Sequence, residues 1–126
     1  MEGFESFRLA GATLFSLGLV KDTEGNLSVF DGSAFRITSA GAPLGWLQPD
    51  DLVDGDLARS LVGASSDLTI HRQIYSERGP GAVVHAHPPG TSHDGGEWGE
   101  HGVYTFASTL EEAVAGVVRT AREHVG

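Results

Sequence analysis

Two histidines separated by one residue, His85 and His87, are the side chains of this chain best suited to metal chemistry. They end the apolar run 81–84, which predicts a buried β-strand. Side chains alternate between the two faces of a strand, so both imidazoles point the same way and can bind one divalent cation such as zinc. A third histidine, His101, begins a second strand-like run over 102–106. The spacing predicts a three-histidine metal site, with a half-buried, hydrogen-bonded histidine pair as the plainer alternative.

The composition limits the class of protein. The 126 residues favour one domain, 1–126, and the absence of cysteine excludes disulfides and thiolate chemistry. A net charge of −9 argues against a nucleic-acid partner, because phosphate contacts need clustered Lys and Arg. The one lysine, Lys21, lies in a polar stretch, which disfavours Schiff-base catalysis. The apolar segment 9–20 follows acidic residues and is too short to span a bilayer, so we expect a cytoplasmic protein with no membrane partner.

Helices and strands alternate along the chain. The dipeptide Asp31–Gly32 predicts a hairpin between two short strands, and Gly79–Pro80 ends the helix that precedes the histidine strand. This alternation indicates an α/β or α+β domain. The predicted elements are helix 4–20, strands 27–30 and 34–38, a helical turn at 48–51, helix 66–78, strand 81–87, a glycine-rich linker over 88–99, strand 102–106 and helix 109–124.

Several motifs occur in the order found in one enzyme family. They are Gly25–Asn26–Leu27–Ser28–Val29, Ile37–Thr38–Ser39–Ala40–Gly41–Ala42–Pro43, Ser65–Ser66–Asp67–Leu68–Thr69–Ile70–His71, Ala82–Val83–Val84–His85–Ala86–His87–Pro88 and the stretch from His101 to Ala113. Together they resemble the class II aldolase/adducin family of fuculose-phosphate-type aldolases, sugar-phosphate epimerases and a thio-sugar-phosphate dehydratase. The resemblance implies a three-layer α/β/α sandwich around a mainly antiparallel sheet. It also implies a divalent metal, most often zinc, and frequently a cyclic tetramer with sites between subunits.

The resemblance further implies roles for individual residues. The metal ligands are His85, His87 and His101, and Asp67 is the general base in place of the family's glutamate. The anionic group of a substrate is held by a cradle of turn and helix N-terminal residues, namely Gly25, Asn26, Gly41, Ser65 and Ser66. The plainer alternatives are a favourable helix N-terminal charge for Asp67 and ordinary turn and cap chemistry for the cradle. His71, one turn after Asp67, is predicted to be a structural, hydrogen-bonding histidine.

We therefore expect a metal-dependent aldolase-type lyase that acts on a small hydroxy-carbonyl or sugar-phosphate substrate and forms a homo-oligomer. The alternatives are an epimerase or dehydratase of the same family, and a metal-binding or oligomerising relative without catalysis. Two departures from the family pattern bear on activity: only 88–100 separates the two histidine strands, and Asp67, one methylene shorter, replaces the family's catalytic glutamate. A smaller departure is Ala40, which stands where the family has a phosphate-binding hydroxyl. A cupin is a further alternative, because Gly79 precedes the histidine pair at cupin spacing, but Glu97 follows too late for that motif.

Overall fold

The structure is a computed structural model that describes residues 1–56, 63, 67–88 and 102–125, with side chains described as far as residue 123. Within these residues we find no helix whose length and apolar character would let it span a bilayer. Two short 3-10 turns, Leu44–Trp46 and Pro49–Asp51, connect the second and third strands. The helices are α1 (Phe4–Ser16), α2 (Leu68–Arg78) and α3 (Leu110–Val125), and the strands are β1 (Asn26–Phe30), β2 (Phe35–Thr38), β3 (Leu52–Gly55), β4 (Gly81–Ala86) and β5 (Val103–Ala107).

The five strands form one sheet in the order β3-β2-β1-β4-β5. Every neighbouring pair is antiparallel. The hairpin predicted at Asp31–Gly32 joins β1 and β2, with Phe30 opposite Phe35. At the other side of β1, Asn26 lies opposite His85. The order therefore puts the histidine strand beside β1 and brings their polar residues together.

Helices cover both faces of the sheet. Helices α1 and α3 pack on one face around a core that includes Phe7, Leu27 and Val84. Helix α2 covers the other face, where Tyr75 packs with Phe35 and Val83 in a second, smaller core. This arrangement is a three-layer α/β/α sandwich with an antiparallel sheet, and it confirms the predicted fold class.

Alternation along β4 decides which side chains reach which layer. Ala82, Val84 and Ala86 belong to the core under α1 and α3. Val83 faces α2, and His85 follows it two residues later on the same face, as period-two geometry requires. The predicted strand 81–87 is thus confirmed over Gly81–Ala86, with His85 on the face that packs against α2, whereas His87 lies one residue beyond the strand.

Helix α1 ends four residues before the predicted limit of residue 20. Gly18 adopts a left-handed φ of 73°. The N–H of Gly18 bonds to the Phe15 carbonyl and the N–H of Leu19 bonds to the Leu14 carbonyl, which is the Schellman pattern of a glycine helix end. The apolar pattern continues past the helix because Leu19 and Val20 are buried in the core as connecting chain.

Candidate functional site

A hydrogen-bonded chain of side chains crosses the interface between α2 and the sheet. Asp67, His71 and Tyr75 lie four residues apart, so they share the face of α2 that meets the sheet. From β1, Asn26 and Ser28 point to the same face, because they are two residues apart in a strand. Asn26, Ser28 and His71 are all buried, with exposed fractions of 4%, 0% and 0%. A buried polar cluster of this kind is stable only when its hydrogen bonds are satisfied.

The chemistry of the groups fixes the direction of each hydrogen bond. A carboxylate only accepts, so the Asn26 amide nitrogen donates to Asp67 Oδ2 at 2.6 Å. The amide oxygen of Asn26 then accepts from the Nε2–H of His71. The Nδ1 atom of His71 accepts from the Ser28 hydroxyl at 2.6 Å, and the Ser28 oxygen lies 2.7 Å from the Tyr75 hydroxyl, which donates to it. All the donors point towards Asp67.

His71 must be neutral to take part in this chain. Its burial lowers the pKa to about 3, and repulsion from His85 when that ring is protonated acts in the same direction to a smaller extent. The predicted role of a structural, hydrogen-bonding histidine agrees with this environment. A neutral imidazole has one donor and one acceptor nitrogen, which is what Asn26 and Ser28 require.

Asp67 connects this chain to the histidine strand. Its Oδ2 accepts from His85 Nδ1 at 2.8 Å, and its carboxylate also accepts a bond from the Tyr104 hydroxyl. These bonds, that of His85 foremost, hold the pKa of Asp67 well below its usual range. Although Asp67 occupies the N-cap position of α2, its side chain makes no capping bond and instead reaches across to the sheet.

The rings around His85 fix its orientation. Tyr104 of β5 lies opposite His85 and stacks on it, with ring centres 4.1 Å apart and planes 4° from parallel. Burial raises the pKa of Tyr104, so the phenol stays protonated and remains a donor to Asp67. His85 is thereby held by a hydrogen bond at one nitrogen and by a stacked ring on its plane.

His85 of β4 and His87, one residue beyond the strand end, are close enough to be considered together as ligands of one divalent cation. Because His85 Nδ1–H is donated to Asp67, its Nε2 carries the lone pair, and a carboxylate–histidine pair of this type commonly supports a metal ligand. The ring centres of His85 and His87 are 4.8 Å apart. Two imidazoles bound to one tetrahedral zinc have ring centres about 5 Å apart, given Zn–N bonds of about 2 Å. The described part of the chain holds no group of three His, Cys, Asp or Glu side chains placed to hold a metal, and His101 lies outside it.

The predicted anion cradle is described only in part, since Ser65 and Ser66 also lie outside the described residues. Gly25 has a left-handed φ of 80°, and a Cβ there would lie 2.6 Å from the His85 carbonyl oxygen, so glycine permits the close approach of the chain to β4. Gly41 is an exposed turn residue with a φ of 74°. The amide of Asn26 is engaged by Asp67 and His71. Anion binding by these residues stays a prediction.

Sequence reasoning assigned no role in the site to Ser28, Tyr75 or Tyr104. Spacing could have indicated Ser28 and Tyr75 as members of the site. Ser28 follows Asn26 at the two-residue strand period, and Tyr75 follows His71 at the four-residue helix period. Tyr104 required the register of β4 and β5, which places it opposite His85. Sequence spacing alone does not give that register.

The fold and the site together define a class of protein: a three-layer α/β/α domain with a carboxylate–histidine pair and a second histidine at one end of a sheet strand. Residues 6–92 match the family model described as class II aldolase and adducin N-terminal domain. The chain therefore belongs to the class II aldolase/adducin family. The match includes His85 and His87 and stops before His101.

Named relatives narrow the comparison. The chain is 40% identical over 84 residues to the 5-methylthioribulose-1-phosphate/5-deoxyribulose-1-phosphate aldolase of Rhodospirillum rubrum, a match that covers 64% of this chain and 38% of that protein. It is 36% identical over 81 residues to a methylthioribulose-1-phosphate dehydratase of a Bradyrhizobium species, covering 62% of this chain and 38% of the relative. The crystal structure of L-fuculose-1-phosphate aldolase from Thermus thermophilus superposes with a TM-score of 0.63 at 40% identity, covering 68% of this chain and 45% of that one. The chain thus spans less than half the length of these relatives.

Proposed function

We propose that this protein is a metal-dependent lyase of the aldolase type that acts on a small hydroxy-carbonyl compound such as a sugar phosphate. One observation supports this above the others: His85, which is hydrogen-bonded to Asp67, and His87 lie close together within the stretch that the family match includes. Membership in a family whose relatives are named as aldolases and dehydratases of sugar phosphates supports the substrate class. Because those relatives are longer, the reaction of this chain has to be measured directly.

His85 and His87, with His101 as the predicted third ligand, would hold the metal. A bound divalent ion supplies Lewis-acid chemistry: it polarises a substrate carbonyl and stabilises the negative charge left when the neighbouring carbon–carbon bond breaks. Zinc suits three imidazoles with one position left for the substrate. The number of ligands and the choice of metal belong to the proposal.

The residues of this chain contribute orientation and a proton acceptor. The hydrogen bond from His85 to Asp67 fixes the tautomer in which Nε2 is free to bind, so we assign Asp67 a positioning role. The predicted role of Asp67 as general base requires its carboxylate to leave this bond for a substrate proton. In the described arrangement the same oxygen already accepts from Asn26 and His85.

Asp67→Asn separates the two roles of this carboxylate. If Asp67 positions His85, zinc affinity falls about 10- to 100-fold. If Asp67 is the base, zinc affinity changes little, and turnover at saturating zinc falls about 10²- to 10⁴-fold. Asp50→Asn, at an exposed carboxylate in a 3-10 turn, is the matched control and should change neither quantity. Unchanged affinity together with unchanged turnover would remove Asp67 from the site.

The reaction itself is tested with a panel of ketose 1-phosphates and added zinc, manganese or cobalt. Aldol cleavage releases dihydroxyacetone phosphate and an aldehyde, whereas dehydration lowers the substrate mass by one water and leaves the carbon chain intact. The similarity to a methylthioribulose-1-phosphate dehydratase makes dehydration the second candidate reaction. Zinc binding without turnover of any compound would favour the non-catalytic alternative.

A further inference from the structure

Strand β5 lies at one edge of the sheet that the described residues form. It is the last strand in the sheet order and, among the described residues, pairs with β4 alone. An open edge presents unpaired N–H and C=O groups that bind another strand, and proteins often protect such edges with charged residues. The opposite edge strand, β3, carries Asp54, which forms an ion pair with Arg36. The five residues of β5, 103–107, include no charged side chain.

A groove of about 450 Å³ runs along this edge between α2 and α3. Its α3 wall consists of residues at helical spacing, so one continuous side of the helix faces the groove. Charged residues stand towards both ends of that side and the smallest residues lie between them. The α3 residues are Glu112, Ala115, Gly116, Arg119, Thr120 and Glu123.

We propose that β5 and this side of α3 form an interface with a second copy of this chain, in which the two β5 strands pair antiparallel about a two-fold axis at Thr105. Residues that lie directly opposite each other in an antiparallel pair must point to the same face of the sheet. With the two-fold axis at Thr105, each of the five residues of β5 lies opposite a partner residue that points to its own face. Tyr104 then lies opposite Phe106 of the partner subunit, which makes an aromatic cross-strand pair. The same surface serves both copies, so this contact is complete once two copies have paired.

The distance that this pairing sets between the two α3 helices is compatible with helix packing. Helix α3 packs against both β4 and β5, so its axis lies over the space between them. Paired strands are about 4.8 Å apart, which sets the two α3 axes about 10 Å apart across the new strand pair. That distance is within the usual range for packed helices.

Two of the charged groove residues of α3, Glu112 and Arg119, are self-complementary about the proposed axis. The Thr105 hydroxyl donates to the Ala113 carbonyl, and a Cβ at Gly116 would lie 3.4 Å from Thr105, so the axis passes close to this part of α3. Glu112 and Arg119 lie on either side of it along the groove. A two-fold rotation brings Glu112 of each copy towards the partner's Arg119, which gives two attractive pairs and no like-charge pair at these positions.

The interface would also touch the candidate site. Tyr104 stacks on His85, so Phe106 of the partner subunit would become a neighbour of the ring that orients His85. The dimer itself does not depend on the proposed lyase activity, because none of its contacts involves a metal ligand.

Charge reversal tests the proposal by sedimentation equilibrium of the full chain. Wild type is expected to dimerise, Glu112→Arg and Arg119→Glu should each raise the dissociation constant about tenfold or more, and the double variant should restore it to within about threefold of wild type. Glu111→Arg and Arg122→Glu reverse the same charges at α3 positions outside the groove and should leave it unchanged. Far-UV circular dichroism of each variant verifies that it is folded.

Cross-linking gives an independent measurement. The chain has no cysteine, so Thr105→Cys introduces one thiol, and its copy across the axis lies within disulfide reach. We expect an interchain disulfide under mild oxidation for Thr105→Cys and none for Ser76→Cys, an exposed position on α2. A monomeric wild type, or an oligomer whose stability none of the groove variants changes and that Thr105→Cys does not cross-link, overturns the proposal.

Discussion

The buried histidine of α2 gives the sharpest prediction about stability. The side chain of His71 is fully buried, and its pKa is about 3 against 6.5 for a free histidine. Because the folded-state pKa lies below the unfolded one, only the unfolded chain gains this proton as the pH falls through 6.5 towards 3. The stabilisation is fully present above pH 6.5 and is lost on acidification.

The magnitude follows from linkage. One pKa unit corresponds to 1.36 kcal/mol, so His71 should lower the free energy of unfolding by about 2 kcal/mol between pH 8 and pH 5. Asp67 contributes nothing in this window: its lowered pKa gives a stabilisation that is lost only below the unfolded value of 3.8. The loss between pH 8 and pH 5 is therefore specific to histidine titration.

The measurement is urea unfolding at pH 8 and pH 5, in the presence of a chelator, for wild type and His71→Gln. Glutamine can still donate to Asn26, but it does not titrate, so the wild type should lose about 2 kcal/mol more than the variant over this range. The chain has two tryptophans, which serve as fluorescent probes. Equal pH dependence in the two proteins, or an NMR titration of His71 near pH 6.5, would refute the buried, neutral state.

Two further predictions concern packing and the buried hydrogen bonds. Gly11→Ala places a Cβ 2.1 Å from the Leu44 carbonyl oxygen and should destabilise the protein by about 2 kcal/mol or more. Gly116→Ala, in another helix interior, places its Cβ at ordinary contact distance and should stabilise the protein by up to about 1 kcal/mol. Thermal unfolding of both variants checks this. Ser28→Ala leaves the His71 Nδ1 atom and the Tyr75 hydroxyl without their shared partner and should cost about 2–4 kcal/mol in urea unfolding, and a cost below about 1 kcal/mol would contradict the assigned hydrogen bonds.

The sequence allowed the prediction of those features that depend on local patterns. The apolar run before His85 predicted β4, and the Asp31–Gly32 turn predicted the β1–β2 hairpin, since both signals lie within a few residues. Strand β3 was not predicted, because Leu52–Gly55 is short and carries no alternating pattern; its pairing with β2 defines it. The predicted end of α1 was wrong because Leu19 is buried, so the apolar pattern continues beyond the last helical residue.

The sequence indicated which residue types belong to the candidate site, but it gave less information about their hydrogen-bond partners. The histidine pair and His71 followed from strand and helix periods and from the family motifs. The bond between Asp67 and His85 joins residues from different elements and depends on how α2 packs on the sheet, which sequence spacing does not determine. The same packing engages the Asn26 amide with Asp67 and His71, whereas its motif had suggested a contact with substrate.

Zinc binding to the full chain tests the central claim most directly. Isothermal titration of metal-free protein should give one zinc per chain for wild type and for Asp50→Asn. His85→Gln, His87→Gln and His101→Gln should each lower the affinity at least about 100-fold, and His71→Gln, a residue outside the ligand set, should affect it far less. A wild type that binds no divalent ion, or histidine variants that bind zinc as tightly as wild type, would contradict the assignment of these imidazoles as metal ligands.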